Sequence, residues 1–194
     1  MIRFVGLAAL LLLGACATQA GIPYSPASPP AVVAGARPII SVGEVVDARK
    51  DGREDANWVG TIRGGYGNPL KRLETPVPVR DAVAQAFREA LAARGLAAPA
   101  TGAYELRVRI VQFDASQYVR REATAEFQLT LYNRATGAQV WSETGRSHVV
   151  DGSLLAITGV FADIEDLRQT ALRAMTQAID DALNRPSLAV AIRG

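Results

Sequence analysis

The chain of 194 residues is 49% hydrophobic and 21% charged, which gives it apolar material for one core of ordinary domain size and none of the polar bias of disordered chains. Its 21 basic and 19 acidic side chains leave a net charge of +2, too balanced for a protein that lives on counterion release from nucleic acid, so no nucleic-acid partner is expected. One cysteine and one histidine exclude an intramolecular disulfide and a Cys/His zinc site, which takes four such ligands, so no metal or cofactor is expected either.

The N-terminus opens with Arg3, continues with an apolar run from Phe4 to Leu13 and closes on Gly14 and Ala15, the layout of a signal peptide. The run is about half of the roughly 20 residues that a membrane-crossing helix requires. Leu13-Gly14-Ala15-Cys16 resembles the lipobox of bacterial lipoproteins, the signal cleaved before a cysteine that receives lipid, and Cys16 is the only cysteine in the chain. An ordinary signal peptide cut at an Ala-x-Ala-like site is the competing reading. Lipidation is favoured because a free thiol in an oxidising envelope is a reactive liability, whereas a thioether is not. By the sorting pattern of such lipoproteins, Ala17 after the cysteine implies the outer membrane.

Residues 17–38 hold five of the ten prolines and are expected to form an extended tether, since proline stiffens a chain toward polyproline II. Ile39 to Val46 is β-branched and apolar on both parities, which predicts a central strand. Residues 47–78 carry glycines at 52, 60, 64, 65 and 67 and form the longest irregular stretch, broken by Trp58 to Ile62, which has the character of a short strand. Long loops are often functional, and Trp58 and Tyr66 are candidates for a partner-binding surface; the alternative is that they fold back over the sheet.

A first helix follows Pro78, with Val79, Val83, Phe87, Ala90 and Leu91 on one stripe and Gly95 as its left-handed cap. Tyr104, Leu106, Val108 and Ile110 alternate with Glu105, Arg107 and Arg109, predicting a strand with one buried face. A second strand carries Ala125, Phe127, Leu129 and Leu131 and enters a hairpin at Asn133 to Gly137, from which a third returns through Val140 and Trp141. The last long helix spans about 163–183, with Ile164, Leu167, Ala171, Ala174, Met175, Ala178 and Ala182 inward and acids in its first turn. Leu188, Val190 and Ile192 in the tail leave its structure undecided. The class is α+β: a mostly antiparallel sheet in the order β-loop-α-β-β-β-α, with two long helices on one face.

The catalytic and metal patterns fail on inspection. Asp47, Asp51, Glu54 and Asp55 suggest a calcium loop, but Arg49 and Trp58 occupy positions where that loop needs oxygen ligands. Gly64 to Pro69 is glycine-rich like a phosphate loop, yet Lys71 stands too far beyond Gly67 and a turn is favoured. His148 is the only histidine, its neighbour Ser147 should face the other way, and Gly152-Ser153-Leu154 is not a nucleophile elbow. No catalytic residue and no enzyme class is expected.

The Val-Val-Asp47-Ala-Arg49 strand end, Trp58-Val-Gly60, the helix ending at Arg94-Gly95 and the strand from Thr136-Gly137 to Val140-Trp141 resemble the YajG-like family of bacterial lipoproteins. The resemblance covers most of the region from Ile39 to Leu183, with a glycine-rich departure at 63–69, and implies an envelope lipoprotein without catalytic residues to carry over. The order of elements also looks like that of auxiliary lipoproteins of lipid transporters and of lipopolysaccharide-assembly lipoproteins, an analogy of fold. The expected organisation is a signal peptide over 1–15, lipidated Cys16 and tether over 16–37, one periplasmic domain over 38–185 and a tail over 186–194. The expected role is a non-enzymatic binding or assembly module on the outer membrane, with its lipid in the membrane and an envelope protein as partner; the alternative is a lipid- or glycan-binding auxiliary of an envelope transport system.

Overall fold

The computed structural model describes residues 17–30, 35–99, 101–151 and 162–193. The expected signal peptide, Cys16 and the Gly152-Ser153-Leu154 triplet lie outside the described residues. The elements are β1 (Ala17–Gln19), β2 (Ile40–Asp47), β3 (Trp58–Arg63), β4 (Pro69–Glu74), α1 (Val79–Ala93), β5 (Tyr104–Gln117), β6 (Arg121–Asn133), β7 (Gln139–Asp151), α2 (Ile164–Leu183) and α3 (Pro186–Ala191). The α+β class is as expected, with the two long helices packed against a seven-stranded sheet and a third, short helix in the tail.

The sheet runs β1-β4-β3-β5-β6-β7, with β2 also on β5. Antiparallel pairing joins β3 to β4, β5 to β6 and β6 to β7, whereas β1–β4, β2–β5 and β3–β5 are parallel. The long strand β5 organises the arrangement. Along one side it pairs with β6 from Tyr104 to Gln117; along the other, β2 takes Tyr104 to Ile110 and β3 takes Ala115 to Gln117. Strands β2 and β3 therefore follow one another along a single edge of β5.

Two expectations change here. The strand β2 is not central, since among the described residues β5 is the only strand it pairs with, and Val46 is 40% exposed. A bulge between Val42 and Val45 turns both side chains to the face of Leu106 and Val108, which is why the strand reads as apolar on both parities. The irregular stretch 47–78 also contains a β-hairpin. Its turn is the glycine-rich segment, in which the Gly64 N–H donates to Asn68 O at 2.8 Å and Gly67 adopts φ +79°.

The core lies between helices and sheet. The inward side chains of β5 and β6 meet Val79, Val83, Phe87, Ala90 and Leu91 of α1 and Leu167, Ala171, Ala174, Met175 and Ala178 of α2, all buried. Phe127 sits between Phe87, at 5.6 Å and edge-on, and Phe113, at 6.2 Å. A bulge after Ile110 restores the inward phase for Phe113 and Ala115. Helix α1 ends as its sequence predicts: Gly95 has φ +72°, the Leu96 N–H reaches Leu91 O and the Gly95 N–H reaches Ala92 O. The tail resolves into α3 because Pro186 pre-sets a first helical turn, and Leu188 is buried beneath it.

The proline-rich segment is extended, yet it is not free of the domain. Its first residues pair as β1 with β4, the Ala20 N–H donates to Glu74 O at 2.9 Å, and Ile22 is 4% exposed in the core cluster. The Tyr24 N–H then donates to Glu89 of α1 and the Ser25 N–H to Thr176 of α2. Pro23 and Pro26 have no N–H to satisfy, so the segment has fewer donors to pair as it crosses the helices.

Candidate functional site

The loop from β2 to β3 is anchored by Arg49, which is 3% exposed. Its guanidinium donates to both oxygens of Asp47, at 2.9 and 2.8 Å, and to the backbone carbonyls of Trp58 and Phe113, at 2.8 and 3.0 Å. Those carbonyls lie where the edge of β5 passes from β2 to β3. A planar fork with five donors is suited to bridging such a gap, since it satisfies main-chain acceptors and a carboxylate at once. Asp47 is thereby committed to Arg49, and Asp55 to Arg72 and to the N–H groups of Asn57 and Trp58. Two of the four acids that suggested a calcium loop, Asp47 and Asp55, thus hold a polypeptide turn in place.

Trp58 emerges from this turn onto the face of the sheet opposite the helices. Its indole N–H donates to Thr61 Oγ1 at 3.0 Å and its ring is half-buried. Around it lies an open cleft of about 520 Å³, lined by Asp51, Glu54, Asp55, Thr61, Arg63, Pro69 and Arg72. Arg72 is held by Asp55 and by Glu74, the latter at 3.0 Å, so much of the charge on this wall is internally balanced. An aromatic face flanked by fixed charges of both signs suits a polar macromolecular surface better than a lipid tail.

Tyr66 is elsewhere. It caps the turn between β3 and β4 and is 100% exposed, with the whole of β3 between it and Trp58. The structure therefore does not bring the two predicted aromatics together: Trp58 partly covers the sheet and Tyr66 projects from its end. His148 lies exposed on the outer face of β7, its Nδ1 2.9 Å from Thr124 Oγ1, while the Ser147 hydroxyl donates to Gln177 of α2 from the other face. The two point apart, as strand alternation requires.

A second buried cation has no counterpart in the sequence reading. Arg94, 1% exposed at the end of α1, donates to Asp180 at 2.7 Å, to Asn184 at 2.8 Å and to Tyr24 Oη at 3.2 Å. The Tyr24 hydroxyl in turn donates to Asp180 at 2.6 Å. Burial, followed by this bond to Asp180, pushes the Tyr24 phenol above its ordinary range. One guanidinium thus joins both long helices to the N-terminal segment. The available signal was an arginine directly before a capping glycine, which sequence reading takes for a helix end alone.

No family model matches the sequence, and no curated protein is significantly similar to it. Similarity is found among solved structures. Protein XCC0632 from Xanthomonas campestris, of family-model DUF330, superimposes with a TM-score of 0.53 at 18% identity, over 84% of this chain and 89% of that one. The PelC dodecamer from Paraburkholderia phytofirmans gives 0.43 at 15% identity, over 79% and 92%, and lipoprotein GNA1162 from Neisseria meningitidis gives 0.30 at 12%, over 67% and 90%. What is shared with the first of these is the fold.

Proposed function

We propose that the protein is an outer-membrane lipoprotein of the YajG-like kind, anchored through Cys16, whose periplasmic domain binds an envelope protein without catalysing a reaction. The observation that carries the binding role is the open cleft beside half-buried Trp58, whose charged walls are held by Arg49 and Arg72. The helix–sheet interior is filled by Phe87, Phe113, Phe127, Leu129 and Met175, all without exposed surface, so a lipid has no groove to enter there. That packing favours a protein partner over the lipid-binding alternative. The anchor rests on the placement of the only cysteine after Leu13-Gly14-Ala15.

Photo-crosslinking in the living cell from positions 58 and 66, with exposed Gln177 on α2 as control, tests the partner. A discrete protein adduct from position 58 is the expected result; adducts only with lipid or glycan, or none, overturn it. For the anchor, Cys16→Ser should release the protein from the outer-membrane fraction, and wild-type partitioning of that variant would reject lipidation as the tether.

A further inference from the structure

The docked N-terminal segment fixes how an anchored molecule must stand on its membrane. β1 begins at Ala17, one residue after Cys16, and consecutive Cα atoms are about 3.8 Å apart, so no spacer separates the thioether from the fold. β1 runs parallel to β4, with Ala17 opposite Arg72, so its start lies toward the end of the sheet where β4 starts. From Arg72 to Pro69 is roughly 10 Å along the strand. Among the described residues that end carries the turn between β3 and β4 and the turn between β5 and β6, and the Tyr118 hydroxyl of the second donates to Gly65 O of the first at 3.1 Å.

The side chains displayed there are unusual for solvent. Tyr66 is 100% exposed, Tyr118 51% and Val119 52%, and Arg63 and Arg120 stand beside them on the same two hairpins. Tyrosine is enriched at the headgroup level of bilayers because its ring is apolar and its hydroxyl is wet. Arginine beside it can meet lipid phosphate. The three apolar side chains are too few to bind a membrane unaided, but an attached lipid supplies the affinity and leaves them only to set orientation.

We propose that this end of the sheet, Tyr66, Tyr118 and Val119 with Arg63 and Arg120, rests on the phospholipid surface, so that the domain stands flush on the membrane with its strands steeply inclined to it. The proposal rests on lipidation of Cys16. The cleft beside Trp58 then opens on the side of the domain, reaching from Arg63 and Pro69 near the headgroups to Trp58 about one strand length above them.

The test uses the full lipoprotein carrying Tyr66→Cys, Val119→Cys or, as control at the opposite end, Ala135→Cys. A lipidated Cys16 has no thiol, so the introduced cysteine is the only one available for an environment-sensitive fluorophore. The labelled protein is reconstituted in vesicles of phosphatidylethanolamine and phosphatidylglycerol containing headgroup-level quencher lipids. The expected result is emission at 66 and 119 reduced about twofold or more, with position 135 unaffected. Equal, weak quenching at all three positions, with the mass of a lipidated Cys16 confirmed, overturns the orientation while leaving the anchor standing. An unmodified Cys16 in membrane-derived protein, revealed by its mass and by a second labelled thiol, overturns both.

Discussion

Arg49 shows how one side chain can complete a sheet. Where β2 gives way to β3, the carbonyls of Phe113 on β5 and of Trp58 on β3 both accept from a side chain, and a buried carbonyl without a partner costs about 1–3 kcal/mol. The guanidinium fills that place, with Asp47 balancing its charge. Arg49→Ala should therefore destabilise by about 3–5 kcal/mol, because it strips the carboxylate and two carbonyls of their partner together. Urea unfolding measures this, and a loss below about 1 kcal/mol would mean the turn is held by other contacts. Glu165, in the first turn of α2, is a weaker case. Its bonds to Arg168 and Gln169 hold its carboxyl down to about 2 from an ordinary 4.5. A depressed acid stabilises above its unfolded value and loses that contribution as pH falls through the folded one. Glu165→Gln should thus cost only about 0.5 kcal/mol at pH 7, since the Glu165 side chain is 50% exposed and solvent screens the pair, with the deficit shrinking between pH 4.5 and 2. Thermal melts across that range would show a constant deficit if packing or neutral hydrogen bonding, and not the carboxylate's charge, were responsible.

At the scale of elements, α2 lies tightly against β7 at Gly145. A Cβ on Gly145 would lie 2.0 Å from the carbonyl oxygen of Ala178, a contact that neither backbone can relieve without moving the helix. The alanines at 171, 174, 178 and 182 are the other half of this fit, since small side chains let the helix axis come down onto the strand. Gly145→Val should accordingly cost about 3 kcal/mol or more by overpacking, while Gly137→Ala in the exposed turn between β6 and β7 should cost about 1 kcal/mol through its φ of +70° alone. Equal denaturation midpoints for the two variants would contradict the assigned contact. Periodicity made both long helices legible, because an apolar stripe every three to four residues has no other use in a folded chain. It misplaced β2, because a bulge shifts the phase of a strand and a single chain shows only the pattern, not the partner.

On the whole-molecule scale, the N-terminal segment is part of the fold and does not behave as a leash. Ile22 is buried in the common core, and Tyr24 closes the Arg94 and Asp180 network across both helices. Ile22→Asp should put an unpaired charge in that core and expel the segment, which limited proteolysis would detect as new, rapid cleavage before Pro38. Equal protection of wild type and variant would mean that the segment is held by β1 and the tyrosine alone. The consequence for an anchored protein is geometric: an extended, free linker of some 20 residues could reach several nanometres, whereas a docked one keeps the domain at the lipid surface.

The amino-acid sequence alone determined the α+β class, both long helices with their buried stripes, the capping glycine at 95, the alternation of β5 and β6 and the turn at Asn133 to Gly137, because each is written in neighbouring residues. It also placed Trp58 and Tyr66 on one irregular stretch and marked Trp58 to Ile62 as a short strand, but it did not show the pairing with β4 that makes a hairpin and sets the two aromatics apart. Tertiary structure decided that the loop folds as a hairpin, that β2 and β3 share one edge of β5, that Arg49 and Arg94 are interior cations and that a proline-rich stretch is bound along the helices. Those features depend on groups 9 to 156 residues apart meeting across the core. Pairings of that kind are set by which surfaces remain to be covered once the local elements have formed.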